Sequence, residues 1–308
     1  AAARLNGIPA QLDLIEPLGK AEGGRQRKVT LTLDDATRKR MIPGLEDILS
    51  GPTEVGYEDL GEGRRKISVK LDAAQLSLPW VNWRKGAGIP GSATFVMEEK
   101  GGETSLSDFV LQGQTFGARG RLSIANGSLA SARFDSARLN RGDDFAVSVD
   151  RRGKSYVVSI KGDALDARSV IKYYLGKGGQ SSAGDDAASG SGLELTASLS
   201  AVSGFNSEVL RGVTLTYASA GNAPGRLKAG ATTRAGGKIT LSRGNGTVDA
   251  TSTDAGAIMR FLDFYANMEG GQMRLALSEA GKVLSGSVAA QDFFIVNKPR
   301  LRSLVAAT

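Results

Sequence analysis

The residues best suited to chemistry in this chain are acidic and come in adjacent pairs: Asp34-Asp35, Glu98-Glu99 and Asp143-Asp144. Paired carboxylates do acid and base work when both reach one substrate atom. Neighbours on a strand point to opposite faces, so these pairs do not converge, and caps and turns account for them. Histidine and cysteine are absent. That removes the usual general base near neutral pH, Ser-His-Asp triads, thiol nucleophiles, disulfides, iron–sulfur clusters and most zinc sites. The glycine runs Gly101-Gly102 and Gly236-Gly237 lack the Lys-Ser or Lys-Thr of a phosphate-binding loop and read as turns. The expectation is a chain that is not an enzyme, with no cofactor and no metal.

With no reaction centre to position, the elements themselves carry the reading. The 308 residues are 41% hydrophobic and 23% charged, and 41 glycines against 8 prolines suggest many turns rather than a helical bundle. A net charge of +7 favours anionic partners such as phosphate head groups or nucleic acid. The basic clusters at 25–28, 38–40, 64–66 and 151–152 are short and read as solvated faces or turns. Nucleic-acid binding needs exposed aromatics beside such clusters; the 6% aromatic residues here fall mostly at apolar strand positions, so nucleic acid is not expected as a partner. The chain opens Ala1-Ala2-Ala3-Arg4-Leu5 with no signal segment, and no run approaches the roughly 20 apolar residues that span a bilayer. It reads as an excised or mature segment.

Apolar residues recur with period two at Val29, Leu31, Leu33; at Ile67, Val69, Leu71; at Phe145, Val147, Val149; and at Tyr156, Val158, Ile160. The pattern continues at Leu193, Leu195, Ala197, Leu199, at Val213, Leu215, Tyr217 and at Met273, Leu275, Leu277, with small or polar residues between. Such segments are strands apolar on one face only. Asp150-Arg151-Arg152-Gly153-Lys154 and Ala125-Asn126-Gly127-Ser128 read as hairpin turns, which implies an antiparallel meander. Periodicity alone fits either an apolar face left open or a closed β-sandwich core.

Helical signals recur where a strand ends in Asp and Ala: Leu33-Asp34-Asp35-Ala36 leading to Met41-Ile42, Leu71-Asp72-Ala73 to Leu76, Leu165-Asp166-Ala167 to Val170, Ile171 and Tyr174, and Asp254-Ala255 to Ile258, Phe261, Leu262 and Tyr265. Asp caps a helix by accepting its free first-turn amides. Residues 176–192 carry no apolar side chain larger than Ala and read as a Gly/Ser-rich loop or linker between segments 1–175 and 193–308, with the sheet continuing across it. Trp80 and Trp83 fit a packed corner or interfacial anchors.

The run from Asp254 to Leu262, then Met268-Glu269-Gly270-Gly271, Val283 to Val288 and Asp292-Phe293-Phe294-Ile295-Val296, resembles the C-terminal region of AsmA-like proteins, close to the YhdP branch. Leu33 to Ala36 with Gly51-Pro52, Lys85 to Gly91, and Asp163 to Arg168 are similar to the same family, so the resemblance covers most of the chain. It implies a mainly β fold: an elongated, curved, largely antiparallel β-sheet groove with a few short capping helices. It further implies a periplasmic segment of an inner-membrane-anchored protein that conveys phospholipids between the inner and outer membranes. The groove lining is then expected at Val69, Leu71, Phe145, Val147, Val149, Tyr156, Val158, Ile160, Leu193, Leu195, Leu215 and Leu275, with Ile258, Phe261, Leu262 and Tyr265 as a cap or plug. A lipid chain of about 15 methylenes exposed to water costs on the order of 12 kcal/mol, which a continuous apolar face removes. The alternative is a structural or scaffolding β-protein of the cell envelope that binds other envelope proteins.

Overall fold

The computed structural model describes residues 2–5, 8–15, 26–41, 48–78, 81–176, 192–221, 225–281 and 283–296. The chain is mainly β, built as open, mostly antiparallel sheet with three short helices among the described residues. It forms two compact units: Ala1–Arg141 with Ala146–Arg151, and Gly142–Phe145 with Arg152–Thr308. The division falls within one strand, β13 (Asp144–Arg152); of the expected loop or linker at 176–192, residues 177–191 lie outside the described residues.

In the first unit β1 (Ala2–Leu5), β2 (Ile8–Ile15), β3 (Gln26–Leu33), β5 (Thr53–Gly61), β6 (Arg64–Lys70), β9 (Gly91–Lys100), β10 (Glu103–Gly113), β11 (Gly117–Ala125) and β12 (Ser128–Arg138) pair in that order, every pair antiparallel. The strands β4 (Leu49–Ser50), β7 (Gln75–Leu78) and β8 (Trp83–Lys85) pair as a separate small sheet. The expected turn at Asn126-Gly127 closes β11 onto β12 with both residues at positive φ, which Asn and Gly adopt at least cost. Phe95, Phe109 and Phe134 run in sequence across this sheet, with ring centroids 6.0 and 5.7 Å apart.

One end of this unit is closed. Leu71, Ala74 and Ala93 form a core with Leu49, Val69, Leu76 and Leu111 packed on it. The helix α1 (Asp35–Met41) begins where expected, Asp34 accepting the Thr37 amide at 2.8 Å. Arg38 is buried rather than solvated: its guanidinium meets the Asp35 carboxylate and the carbonyls of Leu49 and Gly51. The expected helix after Leu71-Asp72-Ala73 does not form. The chain bends there and Leu76 lies in β7, because the carbonyls of Leu71 and Ala74 are taken by the buried ammonium of Lys85 and the Asp72 carboxylate accepts the Gly91 amide instead of first-turn amides. Burial pushes the Lys85 ammonium below its ordinary pKa. Trp83 sits in a packed corner, edge-on to Phe116 with its indole N–H on the Leu139 carbonyl at 2.7 Å; Trp80 lies outside the described residues.

In the second unit β14 (Ser155–Asp166), β15 (Leu193–Ser203), β16 (Val209–Ser219), β17 (Arg226–Thr232), β18 (Lys238–Gly244), β19 (Thr247–Ser252), β20 (Met268–Ala280) and β21 (Val283–Ile295) pair in chain order. The sheet thus continues from β14 to β15, but that pair is parallel, an exception to the expected meander. A parallel pair needs a crossover that returns the chain to its starting end, and α2 (Arg168–Gly176) lies in it. The remaining pairs are antiparallel.

Candidate functional site

From β15 to β20 the apolar face follows from the sequence period, and the register sets it in rows. One row runs Val158, Leu195, Tyr217, Leu227, Arg243, Val248, Leu277, and the next Ile160, Ala197, Leu215, Ala229, Leu241, Ala250, Leu275, Val288. The reverse face carries exposed Thr196, Thr216, Lys228, Ser242 and Asp249. At a strand spacing of about 4.8 Å the second row is roughly 34 Å long, more than one leaflet's half of the roughly 30 Å hydrocarbon core of a bilayer.

The side chains of this face are half-buried in the middle of the sheet, including Leu195, Leu215, Leu227, Leu241, Val248 and Leu275. A sandwich core would bury them. Among the described residues of this unit, the helix α3 (Ala255–Phe261) packs over one end of the face, against β20.

That end is fully built. Asp254 is buried and caps α3, its carboxylate accepting the Ala257 amide at 3.1 Å and the Thr233 hydroxyl at 2.9 Å. Ile258 and Phe261 are buried, as are Leu199, Val202, Leu210 and Met268. Gly256 permits the contact with β20, since a Cβ there would stand 2.5 Å from the Met268 carbonyl oxygen. Arg260 latches the helix through an ion pair with Glu208 at 2.6 Å and a hydrogen bond to the Met268 carbonyl. The helix is shorter than its sequence pattern: Leu262 is the C-cap and Tyr265 lies beyond it, the chain turning at Asp263 with φ 62°.

The expected groove residues therefore fall into different settings. Tyr156, Val158, Ile160, Leu193, Leu195, Leu215 and Leu275 are half-buried and share the face of the second unit. Phe145 is buried in that unit, while Val147 and Val149, on the same strand, belong to the first unit and are half-buried. In the first unit Val69 packs at the closed end, and Leu71 is buried in its core, so it lines no open surface. Sequence reading passed over Leu227 and Val248, whose strands alternate large residues with Ala229, Ala231 and Ala250, and Leu241, whose strand places Arg243 at the next inward position. It also passed over Arg243 and Glu279, which form an ion pair on the apolar face.

The acidic pairs diverge. Asp34 caps α1 while Asp35 binds Arg38 and the Gly51 amide; Glu99 pairs with Arg65 at 3.3 Å; Asp143 is buried on the Asp166 amide while Asp144 is exposed. Among the described residues no group of three or more acidic side chains is placed to hold a metal, and no helix is long and apolar enough to cross a membrane. No family model matches the chain, and neither a curated protein nor a solved structure matches it.

Proposed function

We propose that the chain is a non-catalytic segment of an AsmA-like protein of the YhdP branch, carrying phospholipids between the inner and outer membranes along the apolar face of its sheet. It would work in the periplasm as part of an inner-membrane-anchored protein, with phospholipid acyl chains as ligand. One observation carries the reading: the row from Ile160 to Leu275 crosses seven strands with its side chains half-buried rather than buried, α3 packing over one end of the face. Such a row has the property a lipid tail needs from its carrier, apolar contact that is accessible from outside, while the ladder satisfies the backbone.

Denaturing extraction of the purified chain followed by mass spectrometry tests this. Phospholipid in near-stoichiometric amount is the expected result, and a folded chain free of lipid would remove the proposal in favour of a structural β-protein binding other envelope proteins.

A further inference from the structure

We propose that Arg243, held by Glu279, binds the phosphate of a phospholipid whose chains lie on the apolar face, an inference that rests on the lipid-carrying reading. Arg243 and Glu279 are the only charged side chains at the inward positions of β15 to β20 among the described residues. Both stand near the ends of their strands, on the side away from α3, Arg243 two residues before the turn at Asn245-Gly246. Glu279 lies one inward position beyond Leu277, so the arginine reaches across Val248 to meet it, Nε to Oε1 at 2.5 Å.

The way the pair is made matters. Glu279 accepts from Nε, and the two terminal nitrogens carry further N–H donors of the kind that grip phosphate oxygens in a two-pronged fashion. The Glu279 side chain is 11% exposed and the Arg243 side chain 33%, so the carboxylate is the buried anchor and the guanidinium the accessible end. A solvated rim would serve as well with two exposed charges; here a buried acid fixes a cation beside Leu227 and Leu241. A phospholipid with its phosphate on Arg243 has its chains on the row of Leu215, Leu241 and Leu275, one inward step deeper.

The test compares phosphatidylglycerol with diacylglycerol of the same chain length, presented to the full chain in detergent and quantified by native mass spectrometry. The wild-type chain is expected to prefer the phospholipid on the order of tenfold, the scale of a charge-assisted hydrogen bond. Arg243→Gln should bring the ratio to about one, and Arg243→Lys, which keeps the charge and loses the two-pronged geometry, should fall between. A Gln or Lys variant that is folded by circular dichroism and keeps the full preference overturns the assignment. Binding of neither lipid by the wild-type chain overturns the lipid-carrying reading itself, whereas equal binding of both leaves that reading standing and removes only the role of Arg243.

Discussion

Leu275 of β20 stands directly opposite Val288 of β21, and across that single pair the apolar row passes from half-buried to 58% exposed. Every residue of β21 is exposed, and its thirteen residues carry one charge, Asp292, and no proline. Native edges are normally guarded by charge, proline or a covering element. This edge therefore favours association with another strand. Sedimentation velocity at rising concentration should show self-association, and Val288→Lys should weaken it without loss of stability beyond about 0.5 kcal/mol. A chain that is strictly monomeric at high concentration would speak against an adhesive edge.

The open middle and the closed end of the second unit should respond differently to substitution. Phe261 is buried under α3, so Phe261→Ala is expected to cost about 3–5 kcal/mol in urea unfolding. Leu215 is half-buried on the open row, and Leu215→Asp is expected to cost only about 1–2 kcal/mol, because the carboxylate keeps access to water. Equal, severe losses at both positions would mean that the row is a dry core.

Asp254 caps α3 from a buried position, and its replacement strands the Ala257 amide and the Thr233 hydroxyl together. Asp254→Ala should cost about 2 kcal/mol, and Asp254→Asn, whose single amide oxygen keeps one of the two bonds, about half as much. Thermal or urea unfolding separates the two. A cost near zero for the alanine would show that α3 is held by its apolar face and the Arg260 latch alone.

Asp166 provides a pH test. The Arg168 side chain, through its hydrogen bonds, holds the Asp166 carboxyl below the usual carboxylate range, with partial burial opposing it. A carboxyl depressed on folding contributes stability above its unfolded value near pH 3.9, and that contribution is lost as pH falls through the lower folded value. Asp166→Asn should therefore lose less stability than the wild type between about pH 5 and 3. The difference should stay below about 1 kcal/mol because Arg168 is exposed. Parallel pH curves for the two proteins would remove the linkage.

What could be read beforehand was local. Alternation at Leu193 to Leu199 and Val213 to Tyr217 marked β15 and β16, Asn126-Gly127 marked its hairpin, and Asp34, Asp166 and Asp254 marked the three helix starts. Asp72 was misleading because its helix competes with Lys85, thirteen residues on, for the same carbonyls, a contest that no local pattern reveals. The strands around Leu227 and Val248 were muted by inward-facing alanines, which fit a sheet face yet carry little hydrophobic signal, and the strand of Leu241 by the inward Arg243. Arg243 and Glu279 are 36 residues apart, and only the register of three consecutive strands brings them together. Whether a face is covered depends on what packs over it, so alternation cannot distinguish an open face from half of a sandwich.

Leu215 and Thr216 are adjacent on β16 and point to opposite faces of one sheet, half-buried and exposed respectively. A photoreactive phenylalanine analogue placed at each position in turn, with irradiation in cells and mass spectrometry of the captured adduct, tests the central claim. Phospholipid captured at position 215 and not at 216 is the predicted result. No lipid at position 215, or equal capture at both positions, would contradict it.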